Sequence, residues 1–214
     1  MKLNQSFKKI FHLFVLFGYS LAFAGSYEDF FLAVGRNDPA SVTRLLERGF
    51  DPNTRDPQGR PALFVALQKE SLDAAQALFR HPNLDINALN NNDESALMMA
   101  ALKGHILWCK QLLDRGAAVN KSGWTPLHYA ASGGDPQVIA FLLDKGAAID
   151  ATSPNGSTAV MMAALYGSET SVSLLLARGA DIKRKNDLGL TASDFAARGG
   201  RDKLAAQLKS AAGS

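Results

Sequence analysis

Few side chains in this 214-residue sequence could carry chemistry. Cys109 is the single thiol, so no intramolecular disulfide and no cysteine-based metal cluster can form. It stands in the apolar run Ile106-Leu107-Trp108-Cys109 with no base in register, which predicts a packed thiol rather than a nucleophile. His81, His105 and His128 are scattered singly, with no carboxylate or second histidine at ligand spacing. His128 could serve as a general base, yet no Ser-His-Asp arrangement or paired carboxylate recurs at a fixed register. No glycine-rich phosphate loop leads into a helix. Met98-Met99 and Met161-Met162 would suit a soft metal or a redox surface, but each pair runs into a double alanine and reads as packing. The sequence therefore predicts no catalytic residue, no metal and no cofactor.

The charge needs locating before it is interpreted. The formal net charge is +3 and the isoelectric point is near 9.0, which would invite a nucleic-acid reading. Lys2, Lys8 and Lys9 account for the whole excess, because residues 25–214 contain 20 Lys and Arg against 20 Asp and Glu. Nucleic acid is accordingly not expected as a partner. Residues 1–24 combine that basic start with the apolar run Ile10 to Phe17 and the ending Ala22-Phe23-Ala24, the three parts of a secretory signal peptide. An uncleaved anchor is the alternative, but the stretch from Ile10 to Ala24 falls short of the roughly 20 residues a span requires. Cleavage after Ala24 is expected, with a periplasmic or secreted product, no stable membrane insertion and a monomeric state.

The elements that would position any site repeat along the chain. Gly123-Trp124-Thr125-Pro126-Leu127-His128-Tyr129-Ala130-Ala131 is echoed by Gly156 to Ala164 and again by Gly189 to Ala197. Asp93 to Ala101 and Gly59 to Leu67 echo it upstream. A second ladder keeps step: Leu45-Leu46-Glu47-Arg48-Gly49, Leu112-Leu113-Asp114-Arg115-Gly116, Leu142-Leu143-Asp144-Lys145-Gly146 and Leu175-Leu176-Ala177-Arg178-Gly179. Thr125-Pro126 predicts a helix start, since the hydroxyl can cap orphan amides and proline suits the first position. Gly104, Gly134, Gly167 and Gly200 should end the short first helices, and the ladder glycines should close the second helices in a left-handed cap.

This pattern resembles the ankyrin repeat, whose signature Thr125-Pro126-Leu127-His128-Tyr129-Ala130 matches in full. The resemblance covers roughly residues 27–209. It implies an all-α solenoid of helix-turn-helix units joined by hairpin loops, in six units: 27–55, 56–89, 90–120, 121–151, 152–184 and a cap at 185–209, within one domain over 25–214. It also implies that His128 hydrogen-bonds a helix to the adjoining loop, and His105 is read the same way. Two spacings depart from the pattern. Leu97 to Leu127 is short, with the shortage between Asn120 and Gly123, which predicts one clipped hairpin. Leu63 to Leu97 is one residue too long, and His81-Pro82-Asn83 stands where a glycine-ended helix is expected.

The resemblance further implies a concave face, built from hairpin tips and first helices, that binds another protein. By register that face contains Gln58, Arg60, Gln68, Lys69, Asn91, Asn92, Glu94, Leu102, Lys103, Lys121, Trp124, Ser132, Asn155, Ser157, Leu165 and Tyr166. Arg60, Lys69, Asn92, Glu94, Lys103, Lys121, Trp124, Asn155 and Tyr166 are the expected contact residues. Trp124 is the expected anchor, exposed beside the clipped hairpin. The function expected is a non-catalytic binding adaptor; the alternative is an inhibitor, immunity-type or protective accessory protein for a periplasmic enzyme or toxin. Lys183-Arg184-Lys185 with Arg198, Arg201 and Lys203 makes a modest basic end, read as a solvated cap, with a polyanion or anionic-lipid contact as the alternative.

Overall fold

A computed structural model describes residues 25–213, and the expected signal segment 1–24 lies outside them. The described residues form twelve helices and no strand, with two isolated antiparallel bridges, Arg55 with Pro61 and Leu89 with Ser95. Contacts divide the chain into two compact units, one ending at Leu84 and one beginning at Asp85.

The first unit contains α1 (25–35), α2 (Pro39–Glu47), α3 (Ala62–Gln68) and α4 (Leu72–Phe79). Both α2 and α3 pack on α4, and Phe30, Val34, Val42, Phe64, Leu67 and Leu78 supply the core. Asp38 starts α2 by accepting the Ser41 N–H, and Pro39 follows at the first helical position. Where His81-Pro82-Asn83 displaces the expected glycine, α4 stops at Phe79. The chain then turns through a Leu84 N–H to His81 carbonyl bond of 3.2 Å.

The second unit contains α5 (Ala96–Leu102), α6 (Ile106–Asp114), α7 (Pro126–Gly133), α8 (Pro136–Asp144), α9 (Ala159–Leu165), α10 (Glu169–Ala177), α11 (Ala192–Arg198) and α12 (Asp202–Gly213). The first helices α5, α7, α9 and α11 pack in succession as one layer; α6 packs on α8 and α8 on α10 as another. Small residues allow the close layer: a side chain at Gly167 would meet the Ala131 carbonyl and Ala163. Gly167 is thus required for space, whereas the expected left-handed caps occur at the ladder glycines Gly49, Gly116, Gly146 and Gly179, and Gly104, Gly134 and Gly200 are left-handed as well. Fully buried Leu127, Ile139, Leu142 and Leu175 join the layers, each contributing about 1.5–3 kcal/mol by removal from water. Cys109 is among these core residues, and burial pushes its thiol pKa up to about 12, as expected of a packed thiol. Met98, Met99 and Met161 are likewise buried.

Side chains stitch successive hairpins together. Asn87 accepts the Ala118 N–H at 2.8 Å and donates to the Gly116 carbonyl at 3.0 Å. Asn120 repeats this with Ala148 and Gly146 at 2.9 and 2.8 Å. Asp150, at the next equivalent position, accepts the Asp181 N–H at 3.0 Å but has no amide hydrogen for the second bond.

Candidate partner-binding face

The hairpins lead into the first helices and present their tips beside that layer. A full-length hairpin closes on two backbone bonds, as in Ser153 N–H to the Ser157 carbonyl and Gly156 N–H to the Ser153 carbonyl, both 2.9 Å. Residues 186–190 and 90–94 close in the same way. Between Asn120 and Thr125 no such backbone pair forms among the described residues, so the short spacing does produce a clipped hairpin. The Lys121 ammonium takes over, donating to the Ser122 carbonyl at 2.8 Å and more weakly to the Trp124 carbonyl at 3.4 Å.

Trp124 is half-buried rather than exposed as expected. Its ring stands edge-on to His128, with centroids 5.3 Å apart and planes at 81°. The clipped loop brings the indole back onto its own helix start, so part of its surface is spent on packing. His128 Nδ1 accepts the Thr125 N–H at 3.2 Å and lies 2.8 Å from the Thr125 hydroxyl. That leaves the proton on Nε2, which donates to the Ser157 carbonyl at 2.9 Å. Burial lowers the His128 pKa, so the neutral ring is favoured, and the histidine ties helix to adjoining hairpin as the resemblance implies.

Two further expected contact residues are committed internally. Arg60 pairs with Asp56 at 2.6 Å and donates to Gln68 at 2.9 Å, making it a brace of its own hairpin. Burial works to raise the Asp56 pKa, but hydrogen bonds and charge from Arg60 outweigh it and hold the carboxyl low. Glu94 accepts from the Tyr129 hydroxyl and, at 2.7 Å, from the Asn90 amide. Burial first, and Glu94 second, push the Tyr129 hydroxyl pKa upward. Spacing could not reveal the Tyr129 contact, because it depends on the fold bringing a residue 35 positions away to Glu94.

Among the expected contact residues, Lys69 is exposed on the first unit. On the second, Asn92, Lys103, Asn155 and Tyr166 are exposed, and the Tyr166 side chain at the end of α9 is 66% accessible. Lys103 and Tyr166 occupy equivalent ends of α5 and α9, so both stand at the same edge of one helix layer. Among the described residues no group of three or more His, Cys, Asp or Glu is arranged to hold a metal.

Comparison with known proteins agrees with this architecture. A solved structure of a predatory endopeptidase from Bdellovibrio bacteriovorus in complex with an immunity protein contains a chain that is 26% identical. The match covers 85% of this chain and 97% of that one, with a TM-score of 0.71. The mouse ankyrin repeat and SAM domain-containing protein 6 is 28% identical over 57% of this chain. The human SH3 and multiple ankyrin repeat domains protein 1 is 35% identical over 59%. The matched stretch spans only 14% and 6% of those two relatives' own lengths. The family model for ankyrin repeats in three copies matches residues 30–122, 82–153 and 109–186. The chain belongs to the ankyrin-repeat family.

Proposed function

We propose that this chain is an exported, non-catalytic protein-binding module that engages another protein through the open edge of its first-helix layer. Tyr166 carries the reading. It is a large aromatic, 66% exposed, at the end of α9, and exposed aromatics on a rigid scaffold anchor interfaces with little loss of side-chain freedom. Lys103, Asn92 and Asn155 would add polar contacts around it, and half-buried Trp124 would contribute its outer edge. The test is capture of a partner from the exported fraction with wild type and Tyr166→Ala side by side. Tyr166→Ala is expected to reduce the captured partner at least tenfold while the melting temperature stays within a degree or two. Equal capture by both would exclude Tyr166 from the site. Intact-mass measurement on exported protein checks the proposed cleavage after Ala24.

A second, narrower reading is an immunity-type inhibitor of an exported enzyme. Its support is the near-complete coverage of a chain from an endopeptidase–immunity complex at a TM-score of 0.71. Adding the purified chain to peptidases of the same compartment should then suppress one activity stoichiometrically; an unchanged activity profile would reject inhibition and leave the adaptor reading standing.

A further inference from the structure

The last hairpin changes at the positions through which earlier hairpins reach the following one. Asn87, Asn120 and Asp150 hold backbone of the next hairpin, and the equivalent position at the end of the array is Lys183, followed by Arg184 and Lys185, all exposed. At the tip, where Gln58, Asn92 and Asn155 are polar, the last hairpin carries Leu188 with 72% of its surface in water. A groove of about 550 Å³ lies between this hairpin and the last two helices, lined by Ile182, Leu208 and Ala212 and by Lys185 and Lys209.

The charge changes with it. Residues 181–213 contain seven Lys and Arg against four Asp, whereas residues 85–180 contain six against eight Asp and Glu. Arg201 is committed, donating to the carbonyls of Ala163, Ala164 and Gly167 at 2.9–3.0 Å. None of the remaining six, Lys183, Arg184, Lys185, Arg198, Lys203 and Lys209, enters an ion pair among the described residues. Of the four Asp, Asp194 is held by the Thr191 N–H and hydroxyl and also feels the charges of Arg198 and Lys209, and Asp181 accepts the Lys183 N–H. Asp187, exposed beside Leu188, and Asp202 complete the set, leaving the cations in excess.

We infer that the terminal hairpin and α12 form a peripheral docking surface for an anionic phospholipid bilayer. Cations near such a surface are attracted electrostatically, and an apolar side chain between them enters the interface. The largest apolar exposure lies on the hairpin tip rather than inside the groove. A deformable apolar medium therefore fits it better than a folded acidic polypeptide would. The contact is peripheral, since no helix among the described residues is long and apolar enough to cross a membrane.

The test is flotation of the full chain with phosphatidylcholine vesicles, with and without about one third phosphatidylglycerol. Phosphatidylglycerol is expected to raise binding above that to phosphatidylcholine alone, and the increase should weaken with salt. Lys183→Gln/Lys185→Gln should lower the partition coefficient roughly 30-fold. An environment-sensitive label on Leu188→Cys should shift to the blue with the anionic vesicles; buried Cys109 stays unlabelled. That second readout separates the hairpin from residues 1–24, which are identical in every variant. An unshifted label, or equal partitioning of the double variant, overturns the proposal. So does capture by soluble polyglutamate without binding to the vesicles, which would identify an acidic polypeptide instead.

Discussion

The starts of α7 and α9 have nearly the same backbone but different chemistry. At α7, His128 serves the Thr125 N–H, approaches the Thr125 hydroxyl and donates to the Ser157 carbonyl in the next hairpin. At α9, Met161 stands in the histidine's place and its sulfur accepts only the Thr158 N–H, at 3.4 Å. The Thr158 hydroxyl is left buried without a hydrogen-bond partner, and no side-chain bond runs from Met161 to the following hairpin. A thioether that accepts a single backbone N–H is thus enough to form a helix start, whereas the imidazole adds a polar link between neighbours. The two junctions should differ in how they resist unfolding.

Removing the link gives the largest expected effect. His128→Ala takes away three polar contacts in a buried site and leaves a void, and should destabilise the array by about 3 kcal/mol in chemical denaturation. A loss below about 1 kcal/mol would mean that packing dominates at α7 as well. The reverse exchange, Met161→His, should offer Thr158 a partner and reach the next hairpin, raising stability by about 1 kcal/mol. No gain would show that the α9 junction cannot admit the ring. Next comes the rung beside it: Asp150→Asn should supply the missing donor and add about 0.5 kcal/mol. Neighbouring Asn120→Asp should lose a similar amount.

The gentlest expectation concerns acid. Burial depresses the His128 pKa below the value of about 6.5 for a free imidazole. Below that value the unfolded chain binds a proton that the folded ring resists. The His128 contribution is therefore complete above about pH 6.5 and declines as pH falls toward the folded-state pKa. His128→Met should flatten that part of the stability profile relative to wild type. A slope unaltered by the substitution would assign the pH dependence to carboxylates such as Asp56 and Asp194, whose pKa values are also lowered.

The repeat itself was readable because it is written in local chemistry. Thr-Pro at a helix start, glycine after the second helix and apolar residues at helical spacing act within a few positions of themselves. The clipped hairpin was equally legible, since a shortened spacing between Leu97 and Leu127 had to be absorbed in a loop. Side-chain availability on the face was not. Trp124, Arg60 and Glu94 fit binding positions by register, but their freedom depends on what the folded chain places beside them. For Trp124 that is the His128 edge; for Glu94 it is Tyr129, from the following helix. Tyr166 lacks such a neighbour among the described residues and remains open to solvent.

The hydrogen bonds that join one hairpin or helix to another have a common reach. Arg201 reaches back 38 positions to Ala163, Asn37 forward 36 to Asp73 and His128 forward 29 to Ser157. Bonds of this reach do not require a growing chain to hold an early segment open while a distant one is made. Each helix pair can settle once its successor exists, and loop closure remains a short search throughout. Refolding should consequently be fast for the chain's length, with its rate set by the best-connected pair rather than by the final residue to arrive.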